Sequence, residues 1–430
     1  MSRAAHRMRW GVWGRVLGVG GLLVSLSAAA WADAEADDGA ALSLADTTPL
    51  LSRPSQAGQV FVEGWVERAA LRPATTASHH GVGLDLRWQQ TLTPAWQLQW
   101  SDRLTFDSAA QGSQTAHALR EAFVSWRPSA SSVFDLGRVN LRQGLALGYN
   151  PSDSFKADVQ RSLSTLDPNT LRANRLGVVM LRGQWFWVGG ALSAAYAPQL
   201  GDAPRTASAF SPDWGSSNPA SRWLVQFSHA PHPLFNPQWS LSGGEGQSPQ
   251  LGLNLSFLLG SATVLYGEYA GGRDRSQLDR AAHLTDAPLA WRQQFAGGVT
   301  HTFPNKLSLT AEYQTSSAAP TATDWLGLQT TPAAYGAYRQ WVGQMQGLTT
   351  RRAAMVYARW QDCGLPQHDL TLMLRQDGID QSRQVWLESR IAMGKTEWAV
   401  QWQRQLGVPL TVYGAMAAKQ SVQATARYYF

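Results

Sequence analysis

Five charged side chains crowd one connection of the chain. Between Asn140 and Asn174, just after Gly148-Tyr149-Asn150-Pro151-Ser152, the residues Asp153, Lys156, Asp158, Arg161 and Arg172 intermingle acid and base. Such a set breaks no bonds. Carboxylates opposed to guanidinium and ammonium groups across a narrow, water-filled gap set up a local field, which orients a polar solute as it passes. The same stretch can instead fold against its own wall or outside it, with Asn150-Pro151 as an ordinary turn start and the charges solvated.

A second set of charges falls on one face of regularly alternating segments: Asp85, Arg87, Arg103, Asp107, Glu312, Arg359, Arg375, Glu388 and Arg390, interleaved with glutamines such as Gln97, Gln99, Gln314, Gln401 and Gln403. Any one of these also reads as a charge that merely solvates or pairs across strands. Only the ensemble, a wet lining of mixed sign, argues for a channel.

Catalytic chemistry finds little support. A hydrolase needs a nucleophile, a base and an orienting group at one site. His79, His80, His117, His229, His232, His283, His301 and His368 are scattered, and no Gly-x-Ser-x-Gly elbow accompanies them. His79-His80 falls in an expected external loop without Cys or carboxylate neighbours, a poor metal site. No catalytic residue, metal or cofactor is expected. Cys363 is alone and cannot form an internal disulfide.

The elements that must position these charges are strands. Ten-residue segments with strict period-two alternation recur, whereas a helix would scatter the same residues around its circumference. In Trp96 to Asp107, Trp96, Leu98, Trp100, Leu104 and Phe106 share one face, and Gln97, Gln99, Ser101, Arg103, Thr105 and Asp107 share the other; Asp102 alone breaks the apolar side. Val82 to Gln89, Leu307 to Gln314 and Trp398 to Gln403 repeat the pattern. About eighteen strands (16–18) are expected, starting near residues 59, 81, 95, 117, 132, 175, 185, 221, 238, 249, 261, 293, 306, 351, 367, 383, 395 and 421. The fold class is therefore all-β, a transmembrane antiparallel up-and-down barrel. No apolar run after the start of the chain is long enough for a spanning helix, since Leu251 to Leu265 is cut by Asn254, Ser256, Gly260 and Ser261.

The connections alternate in length. Tight turns follow the even strands, at Thr93-Pro94, Pro128-Ser129, Gly183-Gln184, Gly260-Ser261, Pro304-Asn305, Cys363-Gly364 and Gly394-Lys395, with a looser one at His229 to Pro237. Long connections follow many odd strands: Asn140 to Asn174, Pro198 to Ala220, Gly271 to Trp291, Ser316 to Thr350 and Leu406 to Gln420, with Gly246 to Pro249 a short exception. Short periplasmic turns opposite long external loops are what an outer-membrane barrel requires.

The two ends of the chain agree. Arg3, Arg7, Arg9 and Arg15 precede an apolar run from Val16 to Ala30 and an Ala30-Trp31-Ala32 site, which reads as a signal peptide over residues 1–32. Residues 33–58 then form a periplasmic segment and 59–430 the barrel. Without the leader's four arginines the net charge falls from +6 to +2, which leaves no nucleic-acid footprint. At the other end, Tyr428 and Phe430 close the last strand and resemble the signal by which the barrel-assembly machinery recognises its clients. The twenty tryptophans suit the two interfaces of a bilayer.

In architecture, though not in any diagnostic motif, the mature chain resembles the bacterial porins. In that family the loop after the corresponding strand folds inward and constricts the pore with opposed charges. The resemblance implies that Asp153, Lys156, Asp158, Arg161 and Arg172 are similar in kind to such a constriction. The strand count and the Asn-Pro-Ser-Asp turn differ from the commonest members. The expected location is the Gram-negative outer membrane, with outer-membrane lipid, the assembly machinery and a small solute as partners. The expected role is passive diffusion of small polar solutes or ions. A polymer-exporting or scaffolding barrel and an outer-membrane hydrolase are the alternatives; solute and oligomeric state stay open.

Overall fold

Alternation decides which way each side chain points. In the strand Thr76–Thr93, Val82, Leu84, Leu86 and Trp88 are exposed on the outside while Asp85 is fully buried on the inside. A sheet polar on one face and apolar on the other has no stable flat form in lipid, because its edges would leave backbone groups unpaired; closing into a ring removes the edges.

The computed structural model describes residues 58–430 except 73, 110–111, 160–164, 202–212 and 231–233. The expected signal peptide lies outside the described residues, as does the expected periplasmic segment up to Gly58. The strands are β1 (Gly58–Leu71), β2 (Thr76–Thr93), β3 (Trp96–Ala109), β4 (Gly112–Ser129), β5 (Ser132–Val139) and β6 (Val178–Trp187). Then come β7 (Gly190–Ala197), β8 (Arg222–His229), β9 (Phe235–Gly244), β10 (Gln247–Leu259), β11 (Thr263–Asp274) and β12 (Ala290–Thr302). The last are β13 (Leu307–Ser316), β14 (Arg352–Trp360), β15 (His368–Asp377), β16 (Arg383–Met393), β17 (Thr396–Leu406) and β18 (Ala418–Tyr429).

Each strand pairs antiparallel with its sequence neighbours, and β1 pairs with β18, so the sheet of 18 strands closes on itself. The eighteen expected starts match the eighteen strands, most of them within three residues. Two of the larger differences have one cause. β2 and β4 begin about five residues early, at Thr76 and Gly112, because polar residues such as Ser78 and Gln114 extend the ladder past the apolar alternation. This also places His79 and His80 in β2, not in a loop.

The turn expected at Gly183-Gln184 lies instead at Val188-Gly189, where Gly189 has φ +80°. Gly183 is inside β6 for a steric reason: a Cβ there would come within 2.9 Å of the Trp185 ring and 3.2 Å of Phe134. The space it leaves admits an aromatic row on the outer face near the short turns. Trp96 stacks on Trp126 at 5.9 Å, Trp126 meets Phe134 at 5.5 Å, and Phe134 meets Trp185 edge-on at 5.6 Å. With Trp398, Val400, Leu251 and others also exposed outward, the barrel presents an apolar belt that only lipid would cover.

The long connections share the other end of the barrel, and several are folded. They carry α1 (Pro168–Ala173), α2 (Gln277–Ala281), α3 (Ala322–Gln329) and α4 (Pro332–Gln344). Helix α3 starts on a capping box, with Asp324 N–H donating to Thr321 Oγ1 (3.2 Å) and Thr321 N–H to Asp324 Oδ2 (3.0 Å). Trp325, Tyr335, Tyr338 and Val342 then bury against Val412 of the last connection.

Candidate pore constriction

The connection between β5 and β6, residues 140–177, runs along the inner face of the wall. Arginines hold its two arms together: Arg172 donates to the carbonyls of Gln143 (2.9 Å) and Gly144 (3.1 Å), and Arg175 donates to Asn140 Oδ1 (2.7 Å) and Asp153 Oδ2 (2.6 Å). Asp167 caps α1, accepting from Thr170 N–H (3.1 Å), and also accepts from Tyr357 of β14 (3.0 Å).

Two inward glutamates hold the far side. Leu147 N–H and Gly148 N–H donate to Glu312 of β13 at 2.7 and 3.0 Å, and Tyr266 of β11 donates to the same carboxylate at 2.9 Å. Glu268 of β11 accepts from Ala146 N–H and from Ser152 Oγ (3.1 Å). The close approach needs Gly144, which has φ +86° and whose Cβ would lie 2.6 Å from Glu268. Elsewhere Phe155 and Val159 bury among Val139, Val178, Met180, Ala195 and Leu224 of the β5–β8 wall. Asn174 Oδ1 accepts from Arg87 and Arg120, both at 2.9 Å, on β2 and β4. One connection thus touches inner walls on opposite sides of the ring, so it crosses the lumen.

Of the five charges expected to act in this connection, four are described and all four lie in the crossing segment. Asp153 is buried in its pair with Arg175, and Arg172 staples the arms. Lys156 donates to Asn150 O (2.6 Å) and sits 4.4 Å above the Tyr149 ring. Asp158 is half-buried with a left-handed backbone (φ 60°), and its N–H donates to Gln344 O of α4 (3.0 Å). Arg161 lies outside the described residues. Enclosure pulls the Lys156 ammonium down from 10.5 to about 8, with Asp153 and Glu268 opposing and Arg175 reinforcing.

The expected lining residues all project inward, but most are spoken for. Asp85 pairs with Arg120 (2.6 Å), Arg87 (3.3 Å) and Arg103 (3.5 Å); Arg103 also pairs with Glu63 (2.5 Å). Arg427 joins Glu63 to Glu397 (2.7 Å), and Arg390 joins Glu397 (2.6 Å) to Glu388 (2.8 Å). The result is one ion-pair chain around the inner wall from β16 through β1 to β4. Arg359 pairs with Asp369 (2.8 Å), Glu312 is occupied by the crossing segment, and Arg375 is half-buried on β15. Asp107 meets His79 at 2.5 Å, and His79 also faces Glu67 at 3.7 Å, so the histidine has the carboxylate neighbours its sequence context did not suggest. Among the described residues no group of His, Cys, Asp and Glu is arranged to hold a metal ion.

Sequence reasoning missed Glu63, Arg120, Glu268, Glu397 and Arg427. The signal for Glu63 was present: Val60, Val62, Gly64 and Val66 alternate with Gln59, Phe61, Glu63 and Trp65. Arg120 was hidden by a bulge that slips the β3–β4 register at Ser101/Asp102.

A closed antiparallel ring with a connection folded across its lumen is a barrel of the porin type. Solved structures agree on that fold. The chain is similar to Acinetobacter baumannii OccAB1 (10% identity, TM-score 0.54, covering 87% of this chain and 96% of that one). It is similar to Pseudomonas aeruginosa OccK8 (OprE) (11% identity, TM-score 0.53, covering 87% and 98%). It is also similar to Pseudomonas aeruginosa OccK2 (OpdF), solved in complex with glucuronate (11% identity, TM-score 0.51, covering 87% and 96%). No protein-family model and no curated protein matches the chain.

Proposed function

We propose that the chain is an outer-membrane channel for passive diffusion of small polar solutes or ions, narrowed by the 140–177 connection. The observation that carries this reading is the crossing segment itself, fixed by Glu268 and Glu312 on one wall and by Arg87 and Arg120 on the other. A barrel of 16–18 strands leaves an aqueous lumen, and a segment held across it narrows the path without closing the ring. Asp153, Lys156, Asp158, Arg161 and Arg172 contribute the field of the narrow part, and the β16–β4 ion-pair chain supplies the facing wall. The glucuronate in the OccK2 structure supports a small polar solute as cargo. The aromatic row and the apolar belt support placement in a bilayer with the long connections outward, and Tyr428 of β18 with Phe430 just after it serves as the assembly signal.

Among the described residues the serine–histidine pair that bears on the hydrolase alternative is His368 Nε2 at 2.9 Å from Ser389 Oγ. The other ring nitrogen faces the carbonyl of Cys363 at 2.7 Å, not a carboxylate or amide side chain, so the orienting group is a backbone carbonyl near a turn. The deciding experiment is single-channel conductance of the refolded chain in a planar bilayer with a salt gradient. Discrete, stable steps are expected. A heat-modifiable barrel that conducts nothing would overturn the diffusion reading in favour of a gated exporter or scaffold, and turnover of a chromogenic ester would favour the hydrolase.

A further inference from the structure

The inner wall pairs many of its arginines; the outer wall leaves a set of them bare. On the outer face, at the end of the long connections, Arg68 (β1), Arg273 (β11), Arg352 (β14), Arg383 (β16) and Arg404 (β17) are exposed, and none is held in an ion pair among the described residues. Their outward direction follows from alternation, since each continues the row of exposed apolar residues on its strand: Val66 below Arg68, Leu265 below Arg273, Val356 below Arg352, and Trp398 and Val400 below Arg404. From β11 round to β2 no outward strand position carries Asp or Glu.

Three of these arginines gather. Arg383 and Arg404 sit on adjacent strands, where Arg404 pairs with Val385, two residues along from Arg383. Arg68 lies two strands further, on the far side of β18, roughly 10 Å from Arg404 at the ordinary strand spacing. Directly below Arg68 and Arg404 the outer face is hollow. Gly64, Ala424 and Ala426 form the floor of a groove of about 660 Å³; Val66, Trp398 and Val400 line one side, and Val82 and Phe106 with the polar His80 and Thr115 line the other. The register stacks the two features: Val66 faces Ala424, Gly64 faces Ala426, and Arg68 faces Val422 one step higher.

We infer that the β16–β2 outer face is a binding site for a phosphorylated, acylated lipid of the external leaflet, with phosphate on Arg68, Arg383 and Arg404 and an acyl chain in the groove. Unpaired guanidinium groups present the bidentate donors that phosphate accepts, and a mostly apolar groove floored by small residues admits an acyl chain. A second copy of this barrel is the rival occupant. A two-fold contact through this face would bring the three arginines against their own equivalents, with no acidic residue on the face to offset them. The inference rests on the proposed placement in a bilayer with the long connections outward; it is independent of whether the barrel conducts.

Native mass spectrometry of the barrel in neutral detergent, titrated with diphosphoryl lipid A or with phosphatidylcholine, tests it. Lipid A is expected to bind with defined stoichiometry and phosphatidylcholine only weakly. The R68Q/R383Q/R404Q variant is expected to weaken lipid A binding on the order of a hundredfold, at about fivefold for each arginine. Gly64→Leu with Ala426→Leu fills the groove and is expected to weaken it too, while R273Q/R352Q, outside the cluster, keeps it. Heat-modifiable migration confirms that each variant is folded. Equal binding of the two lipids, or an equal loss in R273Q/R352Q, would overturn the site in favour of bulk charge. Lipid-free oligomers broken by the face variants would overturn it in favour of a protein interface.

Discussion

Two stretches of the inner wall use carboxylates in opposite ways. Around β16–β4 the acids of the ion-pair chain face guanidinium groups: Glu63 holds Arg103 and Arg427, Asp85 holds Arg120, and Glu397 holds Arg390 and Arg427. Around β11–β13 the buried acids Glu268 and Glu312 face backbone N–H groups of the crossing segment and a tyrosine hydroxyl, and neither enters an ion pair among the described residues. A carboxylate on a guanidinium fixes where charge sits. A carboxylate on amide N–H groups fixes where a segment sits. In the proposed channel, the first wall contributes to the field of the lumen and the second sets its width.

The sharpest break falls on the first wall. Glu63→Ala leaves Arg103 and Arg427 buried beside each other's charge, and breaking a buried pair from one side costs about 3–5 kcal/mol. A large drop in the urea midpoint of unfolding is expected, with single-channel conductance less affected because Glu63 does not touch the crossing segment. Replacing Arg103 with Met in the same chain is expected to recover part of the loss. An unchanged midpoint would mean that the pairs carry no net weight and that the comparison between the walls is one of geometry alone.

On the second wall, Glu312→Gln swaps one acceptor for a donor facing Leu147 and Gly148 N–H, and an unmet buried hydrogen bond costs about 1–3 kcal/mol. Together with Glu268→Gln it is expected to free the segment between Ala146 and Ser152. Conductance should rise on the order of twofold, with noisier steps. If conductance holds steady, the Phe155 and Val159 anchor suffices alone, and the glutamates are not what positions the narrow part.

Much of this was legible in the sequence, and the reason is local. The barrel follows from period two, because inward and outward positions differ in polarity residue by residue, as at Val82 to Gln89. What alternation cannot reveal is which inward residues meet across the lumen. Glu268 looks like one more wet position until residues 144–148 arrive from more than a hundred residues away, and Glu312 was read as lining for the same reason. Helices α3 and α4 carry ordinary start signals, Thr321-x-x-Asp324 and Pro332, but inside a long connection the alternation that marks strands says nothing about them.

The gentlest test titrates the crossing segment without changing its fold. Lys156 stands between the two walls, its ammonium lowered by enclosure to about 8, so it carries its charge at pH 7 and has lost most of it by pH 9. Selectivity should therefore drift toward cations as the pH rises through 8, read as a shift of the reversal potential in a salt gradient. Lys156→Met should remove the drift and match the wild type at high pH, whereas Lys156→Arg, which stays charged, should remove the drift and match it at low pH. Stability moves with it. Between about 8 and 10.5 the unfolded chain binds the proton that the folded chain has released, so this residue's contribution to stability rises with pH across that window. A drift that survives in Lys156→Met would move the titrating charge off the crossing segment and onto the wall, leaving the segment to set width alone.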